Sequence, residues 1–323
     1  MSQRILVLGA GGFIGQHVTS SLASSDWAIP LAAGRSAGGA IGAPTQWLQL
    51  DATDESALVR ALQGVDGVVN CMAGDADTMT TSARLLLNAA SRLQSAPRIV
   101  HLSSIAVYGP ATGLVDESAP LAGTDLYAQG KIITEQLCSA YASIVILRPG
   151  IVYGPGSSQW TARIARWLFS HRIGDLGAAG DGYCNLTYVG DLVTAIAQAL
   201  RLPDVEGKLF NVAVAQPPTW NEYFIRFAQS LGAVPVTRIG RRRLQIEAKI
   251  LAPPLKIAEI LATRAKFRGL HLPEAIPPAL LRLCRQEIRM DVAAAEKSLQ
   301  LAWTGLDEGL ERAALWCRQL LRR

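Results

Sequence analysis

The chain has 323 residues, half of them hydrophobic and 18% charged, a balance that excludes a disordered polypeptide and supports a packed core. No apolar run reaches the roughly 18 to 20 residues that span a bilayer. The net charge of +5 is uneven: from residue 236 onward 17 Lys and Arg stand against 9 Asp and Glu, leaving the earlier part negative. A basic C-terminal part suits a phosphorylated substrate or an anionic membrane surface, although solvated helices account for most such charges.

The N-terminus runs almost directly into an apolar strand, which leaves no room for a signal peptide. Five cysteines, at 71, 138, 184, 284 and 317, show no C-x-x-C spacing, and the four histidines are equally dispersed. This pattern reads as reduced thiols of a cytoplasmic protein, with no metal site.

RILVLGA (4 to 10) is an apolar run bounded by glycine, followed by a helical pattern from Phe13 to Ala23. Further strands are expected at 28–33, 45–50, 67–72, 98–103 and 143–148, with helices at 54–63, 77–94 and 125–141. Apolar strands alternating with helices predict an α/β fold with a doubly wound parallel sheet covered on both faces. Beyond about 150 the alternation stops. NLTYV (185 to 189), a helix from Gly190 to Leu200 and KLFNVAV (208 to 214) look like a return to the sheet. The expected division is a dinucleotide-binding Rossmann part at 1–150, completed by 185–215. A smaller, mostly helical substrate-binding region would comprise 151–184 and 216–323.

GAGGFIG sets Gly9, Gly12 and Gly15 between the first strand and the first helix. Glycines there allow a tight turn and close approach of backbone to a pyrophosphate, whose charge suits a helix N-terminus. A plain strand-turn-helix connection is the alternative, but the motif stands at the first strand of an alternating α/β chain, the context a dinucleotide site requires, and so points to a dinucleotide. The second strand ends LAAGRS (31 to 36), without the acid that contacts the ribose 2′-hydroxyl in NAD sites. Arg35 and Ser36 stand there instead, suited to a 2′-phosphate. NADP(H) is therefore preferred, with NAD(H) possible.

TDLYAQGKIITE (124 to 135) sets Tyr127 and Lys131 four apart, on one helical face. An ammonium beside a phenol favours the phenolate and pulls its pKa down from about 10. A shift of three units corresponds to about 4 kcal/mol and suits a general acid or base acting on a ketone or alcohol. Alone, the spacing is common by chance on solvent-facing helices.

HLSSIAVYGP (101 to 110), followed by TDLYAQGK, resembles the extended short-chain dehydrogenase/reductases of the NAD-dependent epimerase/dehydratase family. LDATD (50 to 54), GVDGVVNCMAG (64 to 74), LRPGIVYGPG (147 to 156), NLTYVGDLVTAI (185 to 196) and FNVA (210 to 213) follow in the family's order, and 289–316 resembles its closing helices. The resemblance covers 1 to about 215 well and leaves 236–288 unexplained.

The resemblance implies that Tyr127 is the acid/base, that Lys131 lowers its pKa and holds the nicotinamide ribose, and that Ser104 hydrogen-bonds the substrate oxygen. It places Asp51 at the adenine and Ala73 near the cofactor phosphates, and adds Phe13, Ile14, Ala52 and Pro149 to the cofactor's surroundings. A homodimer through 77–94 and 125–141 is implied too. Three departures limit the substrate. The family's dehydratases carry an Asp-Glu pair where Ile105 and Ala106 stand. Nucleotide-sugar members often have Asn at Ile151 and an arginine near Cys184.

The function expected is an NAD(P)-dependent keto-reductase or epimerase, not a dehydratase, acting at a secondary alcohol or ketone, best matched by a nucleotide sugar. Arg238 and Arg241 to Arg243 would meet its pyrophosphate. One alternative is a dehydrogenase of a steroid-like or other lipid alcohol at a membrane surface, since 241–267 mixes aliphatic and basic residues. A non-catalytic cofactor-binding scaffold or redox sensor is the other, disfavoured by the intact Ser/Tyr/Lys set. Nucleic-acid binding lacks a motif.

Overall fold

The computed structural model describes residues 2–36, 45–247, 250, 254–255 and 275–321. The chain divides into two compact units. The first comprises Met1–Val152, Thr187–Ala215 and Met290–Thr304; the second comprises Tyr153–Leu186, Gln216–Arg289 and Gly305–Arg323.

The first unit is built on β1 (Gln3–Leu8), α1 (Phe13–Ala23), β2 (Ala28–Gly34), β3 (Gln46–Gln49), α2 (Glu55–Ala61), β4 (Gly67–Asn70) and α3 (Ala76–Ser91). It continues through β5 (Arg98–Leu102), β6 (Gly113–Val115), α4 (Leu126–Cys138), β7 (Ile144–Pro149), β8 (Ile151–Tyr153), then α5 (Arg163–Phe169) in the other unit. β9 (Leu186–Tyr188), α6 (Val189–Arg201) and β10 (Leu209–Val212) follow. The seven-stranded sheet has the order β3-β2-β1-β4-β5-β7-β10, with parallel pairing along its ladders.

The expected doubly wound α/β fold is the one observed. Strand order reverses between β1 and β4, so the chain leaves their C-terminal ends in opposite directions and opens a crevice there. Register puts Leu8 beside Asn70 at that end. Leu6, Val7, Val68, Val69, Ile99 and Val100 are almost wholly buried. Each such aliphatic side chain contributes about 1.5–3 kcal/mol relative to exposure. Of the two segments expected to return to the sheet, 208–214 does so as β10 at its edge, whereas Leu186–Tyr188 forms a strand of a separate two-stranded sheet with β8.

Aspartates set where the helices begin. Asp54, Asp75 and Asp125 each accept a hydrogen bond from the backbone N–H three residues on, capping α2, α3 and α4. The helix expected from 125 therefore starts at Leu126, with Asp125 outside it. Along α3 the buried residues Met79, Ala83, Leu86, Leu87 and Ala90 recur at helical spacing and cover the sheet.

In the second unit α7 (Trp220–Leu231) starts from a Thr219/Glu222 capping box and ends at Gly232, whose φ of 77° is left-handed. Trp220, Tyr223, Phe224 and Phe227 are buried in an aromatic cluster, with Tyr223 stacked on Phe227 at 5.8 Å. No helix among the described residues is long and apolar enough to cross a membrane. Of the stretch 241–267, residues 248–249, 251–253 and 256–267 lie outside the described residues.

Candidate active site

The glycine loop lies at the crevice between β1 and β4. Gly9 has φ of 76°, and a Cβ there would sit 3.1 Å from the Cys71 carbonyl. At Gly15 a Cβ would run into the Gly9 carbonyl oxygen and stand 2.8 Å from Ala10 Cα. Gly12 is the N-cap of α1 and supplies no side-chain cap. The first-turn amides of α1 thus face outward beside a cradle that side chains would fill, an arrangement that fits a dinucleotide pyrophosphate. Phe13 and Ile14 open α1 and are half-buried, the phenyl ring meeting His17 edge-on at 5.4 Å.

Arg35 and Ser36 leave the end of β2 exposed. Two side chains of β3 hold that segment by its backbone, with Trp47 Nε1 donating to the Ser36 carbonyl at 3.1 Å and Gln49 Nε2 to the Arg35 carbonyl at 3.0 Å. The Trp47 indole also closes over Gly34, where a Cβ would come within 3.0 Å, and reaches toward Gly11. Asp51 follows β3. Its carboxylate accepts from the Thr53 backbone N–H at 2.9 Å and the Thr53 hydroxyl at 2.7 Å. These bonds, with the Arg35 charge nearby, hold it below the usual carboxylate range. Ala52 is buried beside it. Ala73 is exposed just past β4, and Pro149 ends β7.

Ser104 follows β5 and caps a single 3₁₀ turn, Ile105–Tyr108, by accepting the Ala106 N–H at 3.2 Å. Tyr127 and Lys131 lie in the first two turns of α4. Ser104 lies near enough to the Tyr127 phenol to favour its charged form, and Lys131 Nζ stands 5.8 Å from the centre of its ring. The three expected reacting residues thus come together, although Ser104 and Tyr127 are 23 positions apart in the chain.

Partial loss of hydration pushes the Tyr127 phenol above its ordinary range although the side chain keeps 40% of its surface exposed; Ser104 pulls the other way and Asp125 adds to the rise. Lys131 does not offset this. Its ammonium donates to the Leu102 carbonyl at 2.7 Å and the Met72 carbonyl at 3.4 Å. Burial brings Lys131 itself down to about 8, against the opposing influence of Cys71, Glu135 and Cys138. Desolvation therefore acts on both members of the pair and raises the phenol while lowering the ammonium.

Sequence reading missed Trp47 and Gln49, and it missed Asn70, His101 and Thr134, which are buried around Lys131. Single side chains at these positions carry no spacing signal, and within HLSS only the serines belong to a motif.

A family model described as "NAD dependent epimerase/dehydratase family" matches residues 5–213. The chain belongs to this family. A dTDP-4-dehydrorhamnose reductase of Mycobacterium tuberculosis is 28% identical over 233 residues, covering 66% of this chain and 70% of that protein. A 2-alkyl-3-oxoalkanoate reductase of Stenotrophomonas maltophilia is 29% identical over 261 residues, covering 73% and 78%. Among solved structures, UDP-glucuronic acid 4-epimerase from Bacillus cereus in complex with NAD superposes with a TM-score of 0.75 at 20% identity, covering 98% of this chain and 97% of that one. At that identity the superposition shows a shared fold. Family membership makes this an NAD(P)-type epimerase/reductase relative.

Proposed function

We propose that the protein is an NADP(H)-preferring keto-reductase acting at a secondary alcohol or ketone, with a nucleotide sugar as the favoured substrate class. The observation that carries this reading is the Ser104–Tyr127–Lys131 cluster at the carboxyl ends of the strands, beside the glycine cradle. A bound nicotinamide supplies or accepts the hydride. Tyr127 gives its hydroxyl proton to the developing alkoxide, and a raised phenol pKa keeps that proton in place at neutral pH. Ser104 orients the substrate oxygen toward Tyr127. Lys131, anchored on two backbone carbonyls, steadies the phenolate that remains and holds the nicotinamide ribose.

Gly9, Gly12 and Gly15 take the pyrophosphate, with Phe13, Ile14, Ala73 and Pro149 around it. Asp51 and Ala52 flank the adenine, and Arg35 with Ser36 takes a 2′-phosphate. The residues of 151–184 and 216–323 form the substrate-binding region, where Arg238, Arg241, Arg242 and Arg243 face an anionic group. α3 and α4 make the contact of a homodimer. Dehydration is disfavoured, because Ile105 and Ala106 offer no second acid/base pair. An epimerase, which returns the hydride to the opposite face, is the nearest neighbour of this reading.

A second reading, reduction of a hydrophobic ketone, is favoured by the likeness to the 2-alkyl-3-oxoalkanoate reductase over 73% of this chain. Leu126, the residue before Tyr127, is 81% exposed, an apolar side chain at the surface of α4.

Two measurements test the proposal together. The freshly purified protein is denatured and any released nicotinamide cofactor identified by mass spectrometry, and NADPH oxidation is then followed with 4-keto nucleotide sugars and with 2-alkyl-3-keto acids. Dissociable NADPH and turnover that falls at least about a hundredfold in Tyr127→Phe, with cofactor binding retained, are expected. Stoichiometric, non-exchanging NAD points instead to an epimerase, and full activity of Tyr127→Phe sinks the assignment.

A further inference from the structure

A closed ring of hydrogen bonds runs through Lys131 itself and through Asn70, His101 and Thr134, side chains to which the reaction above assigns no part. The Asn70 side-chain oxygen accepts the Met72 N–H at 3.2 Å, and the Met72 carbonyl accepts Lys131 Nζ at 3.4 Å. The Lys131 carbonyl accepts the Thr134 hydroxyl at 2.9 Å. Thr134 Oγ1 lies 3.3 Å from His101 Nε2, and His101 Nδ1 lies 3.2 Å from Asn70 Nδ2, which closes the ring. Asn70, His101, Thr134 and Lys131 are at most 3% exposed, so water does not compete for these bonds.

One assignment of protons satisfies every member. The Asn70 oxygen is engaged by Met72, so its amide nitrogen faces His101 and donates to Nδ1. The Thr134 proton goes to the Lys131 carbonyl, so its oxygen accepts from Nε2–H. His101 is therefore the neutral Nε2–H tautomer. A second proton, on Nδ1, would set two donors against each other in a buried site. The imidazole pKa agrees: burial, and then the Lys131 charge, hold it down to about 3. Next to His101 on β5, the Leu102 carbonyl accepts Lys131 Nζ at 2.7 Å. The segment 101–102 thus grips Lys131 at its backbone, through Thr134, and at its ammonium.

We propose that His101 is a positioning residue for Lys131, fixing through Thr134 and the adjoining Leu102 carbonyl where the ammonium stands relative to the Tyr127 ring. This rests on the reading of Tyr127 and Lys131 as the reacting pair. Cys71, Glu135, Cys138 and the Tyr127 ring also lie near the ammonium, but burial keeps both thiols protonated and Glu135 is paired with Arg148, whereas His101 acts through directed hydrogen bonds.

The test uses the whole chain and the variants Thr134→Val, Thr134→Ser and His101→Gln. Nitrogen NMR of the four histidine side chains from about pH 5 to 8.5 reads the ring directly in the unmutated protein. His101 is expected to remain neutral with its proton on Nε2 throughout. A His101 that protonates near its ordinary pKa of about 6.5, or carries its proton on Nδ1, overturns the proposal. Calorimetric titration with NADPH from about pH 6.5 to 9.5 reads the position of Lys131. Thr134→Val is near-isosteric and is expected to bind on the order of tenfold more weakly, with a displaced pH dependence. Thr134→Ser should restore both, and His101→Gln, whose amide reaches toward Thr134, should fall between. Unchanged affinity and pH dependence in Thr134→Val, with only a lower unfolding temperature, makes the ring merely structural and overturns the proposal. Neither readout depends on a substrate, so failure of the reductase reading shows separately, in the turnover of Tyr127→Phe.

Discussion

Glu135 and Arg148 form a bidentate ion pair inside the first unit, with Arg148 Nε 2.9 Å from one carboxylate oxygen and Nη2 2.6 Å from the other. Their side chains are 5% and 4% exposed. Glu135 lies one helical turn beyond Lys131 on α4, and Arg148 lies on β7. The same guanidinium donates to the Tyr108 hydroxyl at 2.8 Å, and Tyr108 donates to Asn211 on β10 at 2.6 Å. The helix that carries Tyr127 and Lys131 is thereby tied to two strands of the sheet and to the turn that Ser104 caps.

Breaking that pair from one side leaves a buried charge without its partner. Glu135→Gln is expected to cost about 3–5 kcal/mol of stability in urea unfolding. Glu135→Met combined with Arg148→Met should lose less than the two single changes together, because no charge is stranded. A loss below about 1 kcal/mol in Glu135→Gln would show that the pair is not clamping α4.

Lys131 makes stability depend on alkaline pH. Its pKa falls from 10.5 in the unfolded chain to about 8 in the folded one, so the unfolded state binds more protons between those values. Unfolding free energy should therefore rise with pH by about 1.4 kcal/mol per unit across that window, and the corresponding stability is lost as pH falls through the folded value. Lys131→Met should flatten this rise and abolish turnover. Parallel slopes for the two proteins in chemical unfolding would contradict the desolvated ammonium.

Arg35 decides the cofactor if it meets a 2′-phosphate. Arg35→Ala should weaken NADPH by about tenfold to a hundredfold, as expected for a charge-assisted contact, and leave NADH within about twofold. Trp47→Ala, which frees the Ser36 carbonyl and uncovers Gly34, should weaken NADPH in the same direction by a smaller factor. Equal losses for both cofactors in Arg35→Ala, read by calorimetry, would place the arginine elsewhere.

Much of the fold was legible because its signals are local. β1, β2, β4 and β7 are short, largely apolar runs, α2, α3 and α4 each follow an aspartate cap, and the three glycines stand where β1 meets α1. The helical period alone brought Tyr127 and Lys131 to one face. Of the two segments expected to return to the sheet, 208–214 does so as Leu209–Val212, whereas the buried triplet Leu186–Tyr188 pairs in a separate small sheet, because burial does not say in which sheet a strand lies.

Spacing within a few residues and the order of motifs were enough to specify the class of fold, the glycine cradle and the grouping of Ser104 with Tyr127 and Lys131. The electrostatics of that group came from the assembled chain. Whether an ammonium lowers a phenol's pKa depends on what else surrounds both groups: here lost hydration and Asp125 raise the phenol, while the carbonyls of Met72 and Leu102 engage the ammonium. The His101 ring belongs to the same category, since its bonds join residues 31 and 33 positions apart. Hydrogen-bond direction and desolvation are properties of assembled surroundings, and no stretch of chain carries them alone.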